Sequence, residues 1–334
     1  MPADPADQTA TAACFDVLKA ADEADDPLGP PMSLRRLRGW LEYPPMPAEI
    51  WTCGDEAGGA VTGWYHLLLP DRENRDLGYL QITVPPAARR NGTGTALLRH
   101  AAGRAAASGR SRLSGDVFQD SAGAAFAAGT GAEPGLVEAR RVLVLSQIPA
   151  GRVALLRERA ERAAAGYSLV SWDGRTPDEY LARAASVENA MADAPHQPGE
   201  EPEVWDAARF REQVDDRRER QGRHVYTLAA LHAASGEMAA VTAVETDPDN
   251  PGWGYQHLTA VTREHRGNRL GLLVKTAMLG WLAAAEPGLE RIMTGNAAVN
   301  RHMIAINQEL GYELLPPLAQ TYELPVADAL GAGR

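Results

Sequence analysis

Lysine and cysteine are the two residue types that this chain of 334 residues nearly lacks. Lysine occurs only at Lys19 and Lys275, with arginine supplying the other positive charges. This is a compositional bias toward Arg and carries no functional weight. The two cysteines, Cys14 and Cys53, form no Cys-x-x-Cys pattern. That excludes a disulfide framework and a cysteine-ligated zinc site, so both read as packed thiols and no metal is expected. No apolar run approaches the length of a membrane span. The N-terminus, Met1-Pro-Ala-Asp-Pro-Ala-Asp7, is acidic where a secretory signal is basic and then apolar, so a cytoplasmic location is expected. Basic residues are also in deficit, and a net charge of -11 opposes DNA binding, which depends on Lys and Arg neutralising phosphates.

What the chain does have is apolar residue in quantity, 45% of the total, which is enough for globular cores. The length suits two domains better than one. Internal duplication supports that division. Val84-Pro-Pro-Ala-Ala-Arg-Arg-Asn-Gly-Thr-Gly-Thr-Ala-Leu-Leu98 and Val261-Thr-Arg-Glu-His-Arg-Gly-Asn-Arg-Leu-Gly-Leu-Leu-Val274 are two versions of one strand, turn, helix unit, about 177 residues apart. Each follows a β-type apolar run, passes through a short basic Gly-containing turn and opens an amphipathic helix. Main-chain N–H groups converge at such a junction, which is therefore suited to phosphate.

Along the first half, residues 11–23 and 33–42 read as helices. Strands follow at 50–53, 60–69 and 77–84, with the Gly-rich 54–59 as a hairpin turn. A helix over 94–107, a strand over 112–117, a short helix over 122–128 and a strand over 137–145 complete it. A helix at 152–165 ends near Gly166 and connects the halves. The order then repeats: a strand at 167–172, a helix at 177–190 starting from a Thr176 cap, and another at 207–220. A hairpin of 224–232 and 237–245 turns at Ser235-Gly236, and a strand over 254–261 enters the second loop. Leu273, Ala277 and Trp281 mark the buried face of the next helix. A strand at 289–294, a helix at 300–310 and a last strand at 321–324 end the pattern. The first half lacks an initial strand, and another segment is expected to fill its place. The divisions expected are 1–148, a linker helix at 149–166, a second domain at 167–326 and a tail at 327–334.

The turn sequences name a family. Arg89-Arg90-Asn91-Gly92-Thr93-Gly94 fits (Gln/Arg)-x-x-Gly-x-(Gly/Ala) and resembles the pyrophosphate loop of GNAT-family acyltransferases. Arg266-Gly267-Asn268-Arg269-Leu270-Gly271 fits with one departure, Arg269 in place of the central glycine. A side chain there either crowds the phosphate or adds a positive charge to it, and the sequence leaves both open. The resemblance implies an α/β (α+β) architecture of two tandem GNAT domains, each a mixed, mostly antiparallel twisted sheet flanked by helices. It also implies acetyl-CoA as the carrier, held by Arg89, Arg90, Asn91, Gly92, Thr93, Gly94 and Thr95 in the first loop. The second loop's counterparts are Arg266, Gly267, Asn268, Arg269, Leu270, Gly271 and Leu272. The strand before each loop supplies main-chain bonds to pantetheine in this family, which points to Ile82, Thr83 and Val84 and to Thr259, Ala260 and Val261.

The family mechanism so implied is direct attack of an amine on the acetyl thioester, with the protein orienting both partners and accepting a proton. Downstream, Asn296-Ala-Ala-Val-Asn300-Arg-His-Met-Ile-Ala-Ile-Asn307 through Gly311-Tyr312 resembles the family's Asn-x-x-Ala-x-x-Leu-Tyr-x-x-x-Gly-Phe segment. Asn300 aligns with its asparagine as a carrier contact, or else it only caps a helix. Asn307 falls at the tyrosine that protonates the leaving thiolate, and an amide cannot do that as a phenol does. In the first half Ala127 takes the same place, so the second half is favoured as catalytic. His257, two residues before Thr259 and so expected on its face, is the first candidate base, with an ordinary pKa of about 6.5. Glu245 is the next. The run from Glu188 to Asp206 holds Glu188, Asp193, Glu200, Glu201, Glu203 and Asp206 without one Lys or Arg, and reads either as an acceptor lining that attracts a cationic amine or as a solvated loop.

The leading expectation is an acetyl-CoA-dependent N-acetyltransferase of a small amine, with no DNA or membrane partner, acting as a monomer or homodimer. The alternatives are the same fold with a longer acyl-CoA or an aminoacyl-tRNA as donor, and a non-catalytic acyl-CoA-sensing module.

Overall fold

A computed structural model describes residues 1–54 and 60–333 of the chain. The hairpin turn expected at 54–59 lies, beyond Gly54, outside the described residues. Two compact units share the chain. The first holds Met1–Glu138, Gln197–Glu201 and Pro316–Arg334, and the second holds Ala139–His196 and Pro202–Leu315.

In the first unit α1 (Gln8–Asp25) and α2 (Leu34–Glu42) lead into β1 (Ala48–Gly54), β2 (Val61–Leu68) and β3 (Leu77–Thr83). The loop, α3 (Thr93–Ala107), β4 (Arg112–Phe118) and α4 (Ala122–Gly129) follow, and β5 (Glu133–Val144) begins here and continues into the second unit. Asp7 caps α1 through the N–H groups of Thr9 and Ala10, which starts that helix earlier than apolar periodicity marks it. No strand precedes α1. Instead Met1 and Ala3 bond the main chain of Thr52 and Ile50, and Pro2 bridges Trp51, so the first three residues lie along β1 in the place of the missing initial strand. Successive residues of β2 point to opposite faces. Trp64 packs with Cys14, Leu37 and Leu41 under α1 and α2, while Tyr65 and Leu67 pack with Leu97, Leu98 and Ala101 of α3.

The second unit runs α5 (Arg152–Ala163), β6 (Tyr167–Asp173), α6 (Asp178–Asn189), α7 (Ala207–Phe210) and α8 (Arg217–Arg220). It continues through β7 (His224–His232), β8 (Met238–Thr246), β9 (Trp253–Val261), α9 (Leu270–Ala285), β10 (Arg291–Ala297) and α10 (Arg301–Leu310). Its strands are ordered β10, β9, β8, β7, β6, with β5 beside β10. Leu272, Leu273 and Met278 of α9 and Leu156 and Ala160 of α5 pack with Val244 on one face of the sheet. Ala185, Val187 and Phe210, from α6 and α7, pack with Val241 and Ala260 on the other.

Three local expectations are corrected. Thr176 does not cap α6: its hydroxyl donates to buried Asp215 at 3.0 Å, and Pro177 holds the cap position without a side-chain bond. The helix expected over 207–220 contains a π segment at Arg211–Asp216, where the buried Asp215 carboxylate is held by Thr176 and Arg211. The last strand is β11 (Glu313–Pro325), not four residues, and it ends in a helix, α11 (Val326–Gly331), where a tail was expected. Pro316-Pro317 reads as a break, but pairing of Ala319–Pro325 with β4 overrides it. Burial of Val326 and Ala329 beside Leu97 and Leu324 holds α11 in the first unit.

Candidate active site

Both units open a fork in the sheet. The parallel pairing of β3 with β4 covers only Leu77, Gly78 and Tyr79, although β4 continues to Phe118. The parallel pairing of β9 with β10 likewise stops at Gln256 with Thr294, although β10 continues to Ala297. Ile82 and Thr83, with Val84 just after them, and Thr259, Ala260 and Val261 all lie beyond the split, where β3 and β9 have parted from their parallel neighbours. At the first fork Gly115 is required, because a Cβ there would stand 2.5 Å from the carbonyl oxygen of Leu80.

The fork leads to the loop. Residues 90–95 in the first unit and 267–272 in the second are six consecutive main-chain N–H groups with no protein acceptor among the described residues. Such donors at a helix N-terminus, reinforced by the helix dipole, suit the diphosphate of a CoA-type carrier. The two loops also share their backbone. Arg90 and Gly92 have φ of 65° and 81°, and Gly267 and Arg269, at the matching positions, have 87° and 55°. Arg269 therefore replaces glycine without changing the turn. The second motif glycine serves packing: Gly94 faces the Phe126 ring and Gly271 faces Ile306, which brings α4 onto α3 and α10 onto α9.

The leading arginine of each motif is committed to the protein. Arg89 Nε donates to the Val84 carbonyl at 3.0 Å and Arg266 Nε to the Val261 carbonyl at 3.2 Å, which explains the valine five residues upstream in both copies. Each guanidinium then meets an aspartate, Asp25 at the end of α1 or Asp193 in the short turn after α6. Arg89 pairs with Asp25 at 2.6 Å, and Arg266 with Asp193 at 2.8 Å. Arg263 also pairs with Asp193 at 2.5 Å, and the two arginines hold that carboxyl below its ordinary pKa.

At the fork of the second unit two titratable groups, His257 and Glu245, are hydrogen-bonded to each other. Between Thr242↔Thr259 and Val244↔Gln256, β9 has one residue more than β8, a bulge at His257-Leu258. The bulge breaks the alternation, and this corrects the expected placement of His257. Thr259 and Gln256 both bond the Thr242 hydroxyl, at 2.8 Å each, on the α9 side of the sheet. His257 turns to the opposite side, toward α6 and α8, where its Nε2 lies 2.9 Å from Glu245 Oε2. Glu245 is 1% exposed and also accepts from Arg223 Nη1 at 3.1 Å. Crowding of the imidazole lowers the pKa of His257, and the hydrogen bond and charge of Glu245 oppose that shift. The lowered pKa favours the neutral ring, which can accept a proton. Half-buried Arg218 adds a positive charge within electrostatic reach of Glu245, His257 and Glu188. Burial raises the Glu188 carboxyl to about 7.

Asn307 occupies a different setting. It is fully buried, accepts from Lys275 Nζ at 2.7 Å and donates to Asn296 Oδ1 at 2.8 Å. Lys275 is 2% exposed, lies over the Tyr312 ring and is pushed down to about 7 by burial. Asn300 caps α10 by accepting from the Met303 N–H at 3.2 Å. The acidic run is largely spent on structure: Asp193 holds the loop arginines, Asp206 caps α7, and Glu201 and Glu200 bond Asn74 and Tyr79. Glu203 pairs with Arg209 at 3.4 Å. Glu188, within electrostatic reach of Glu203 and of Arg218, is the residue of the run nearest the His257 side.

Sequence reasoning missed the bulge, the two aspartates and Lys275. A lone lysine in the all-apolar run of α9 was the visible signal for the last, whereas strand register and the aspartates' partners had none.

Comparisons with known proteins agree with this geometry. The profile of the acetyltransferase (GNAT) family matches residues 15–128. A solved tandem GNAT protein from the clavulanic acid biosynthesis pathway is 30% identical, with 98% of each chain covered and a TM-score of 0.80. A GCN5-related N-acetyltransferase from Sphaerobacter thermophilus is 17% identical over 97% of this chain and 94% of its own, with a TM-score of 0.68. A glucosamine N-acetyltransferase region of a fungal multi-domain enzyme shares the fold at 14% identity and a TM-score of 0.65, over 97% of this chain and 38% of its own. None of the curated proteins matches the chain.

Proposed function

Because the chain belongs to the GNAT acetyltransferase family, we propose that it transfers an acetyl group from acetyl-CoA to the amine of a small molecule, and that the second domain, 167–326, carries the chemistry. The His257–Glu245 pair beside the fork is the observation that carries this reading. Acetyl-CoA supplies an activated thioester whose carbonyl an amine attacks directly, so the protein needs to bind, orient and move a proton.

The residues present fit that carrier. Six unpartnered main-chain amides at 267–272 hold its diphosphate, and Thr259, Ala260 and Val261 offer main-chain groups to the pantetheine arm. Neutral His257 accepts the proton that the attacking ammonium must lose. Glu245 fixes the ring and stabilises the imidazolium once formed, as a buried carboxylate does for a general base. Asn307, enclosed with Lys275, takes no part in protonating the thiolate, which is left to solvent. Glu188 gives the acceptor side one carboxyl for a cationic amine.

The first unit has the amides and the fork without the pair. Leu68 stands opposite Tyr79 there, as Glu245 stands opposite Tyr255 in the second. We assign it carrier binding without turnover. Thiol release from acetyl-CoA over a panel of small amines tests the reading. Turnover that is lost in His257→Ala is expected. Tight CoA binding with no thiol released by any amine points to a sensing module instead.

A further inference from the structure

On the far side of the second loop from the fork, three side chains from separate segments meet. His232 ends β7, Glu237 follows the Ser235-Gly236 turn, and His265 belongs to the turn that opens the loop. One imidazole nitrogen from each histidine and one carboxylate oxygen lie within 4.8 Å of one another. The histidine rings are 4.9 Å apart between centroids, and His265 Nε2 is 3.6 Å from Glu237 Oε2.

We propose that His232, Glu237 and His265 bind one divalent transition cation of the zinc, cobalt or nickel kind. Two imidazoles and one carboxylate are a borderline donor set that suits these ions better than magnesium or calcium, which favour oxygen. Bonds of about 2.0–2.2 Å place tetrahedral donors about 3.4 Å apart, near the 3.6 Å already separating His265 Nε2 from Glu237 Oε2, so the other donors need to close by about 1.4 Å at most from the present 4.8 Å limit.

The surrounding residues already orient the donors. The Tyr167 hydroxyl is 2.9 Å from His265 Nδ1, which leaves Nε2 directed at Glu237, and Asn268 Nδ2 donates to that hydroxyl at 3.2 Å and to the His265 carbonyl at 3.1 Å. An oriented second nitrogen is the usual support of a metal-bound histidine. Ser235 Oγ stands 3.0 Å from His232 Nδ1 and donates to Glu237 Oε2 at 2.8 Å, so the turn presents both residues together. The expectation of no metal followed the cysteines, and this site uses none. Three protein donors leave at least one position for water, and the ion would tie the β7–β8 turn to the loop.

The test uses the full chain without a histidine tag and cobalt(II) as the probe. One equivalent is expected to bind with visible absorption bands that zinc(II) bleaches. His232→Ala and Glu237→Gln, each on the hairpin and away from the carrier's amides, are expected to weaken cobalt binding at least about tenfold. Far-UV circular dichroism confirms that both remain folded, and His224→Ala is expected to bind like the parent chain. The proposal is overturned if the parent chain gives no bands, or if both hairpin variants bind cobalt as tightly as it does.

Discussion

The two loops reach one backbone with opposite choices of residue. In the first, Arg90 and Gly92 take the two left-handed positions, and in the second Gly267 and Arg269 do, so each loop has one glycine and one exposed arginine in exchanged order. A left-handed non-glycine residue costs on the order of 1 kcal/mol, and each loop bears it once. What the loops share is what phosphate needs, a run of free amides. What the units do not share lies at the fork: β9 carries a bulge with His257 facing Glu245, while β3 pairs with β2 without interruption from Trp64↔Thr83 to Leu68↔Tyr79. On the proposed assignment, the difference means that carrier binding and proton transfer are separable in this architecture. The family profile matches residues 15–128 in the first unit, whereas the His257–Glu245 pair stands beside the fork of the second.

The comparison breaks most readily at His257. Its replacement by alanine is expected to lower kcat by roughly 10²- to 10⁴-fold, the usual contribution of a positioned base, with little change in the KM for acetyl-CoA. Leu80→Ala on β3 serves as the first-unit control, and there the kcat should hold. Full turnover in His257→Ala, measured by thiol release, would move the chemistry out of the second unit. The pH dependence sharpens the same point. With the His257 pKa lowered by its surroundings, the acid limb of kcat/KM is expected below the ordinary imidazole value of about 6.5. Glu245 raises that pKa, so Glu245→Gln should move the limb further toward acid. A limb that moves toward neutrality instead contradicts the pairing.

Much of this was legible in the chain. The loops, the helices that follow them and the order of strands were readable because glycine, proline and apolar period act locally. The bulge was not, since whether His257 faces α9 or α8 depends on one residue of register between β8 and β9, and register is set by partners distant in sequence. Asp25 and Asp193 were invisible as arginine holders for the same reason. Asn307 was found by alignment with a motif, but its role follows from Lys275, one helix away.

Lys275 offers the next contrast. Leu98, buried, and Ala127, half-buried, occupy in the first unit the places of Lys275 and Asn307, so an apolar pair corresponds to a buried polar one. The amine is lowered from 10.5 to about 7 on folding. Between these values the unfolded chain binds more protons, so stability rises with pH from about 7 toward 10.5 and is lost as pH falls through that window. Melting temperatures of the parent chain and of Lys275→Met, compared across pH 7 to 10, check this. The loss of the bond to Asn307 offsets the variant by a constant amount, whereas the slope that the lysine contributes should disappear. Parallel curves would mean that the amine stays charged.

The smallest effect returns to the loops. Arg269 is exposed at the first turn of α9 and its φ is already that of the glycine it replaces. Arg269→Gly therefore leaves the amides in place. Relief of the left-handed strain and the added freedom of glycine in the unfolded chain oppose each other, each about 1 kcal/mol or less, so the melting temperature should barely move. What remains is the guanidinium itself. If it lies beside the diphosphate, its removal should weaken CoA binding by about fivefold, as expected for one charge at an exposed site of about 1 kcal/mol, and the loss should shrink as salt is raised. Calorimetry of CoA binding at low and high salt reads both. Tighter binding in the variant would show that the side chain crowds the phosphate, and the exchanged arginines of the two loops would then differ in function as well as in position.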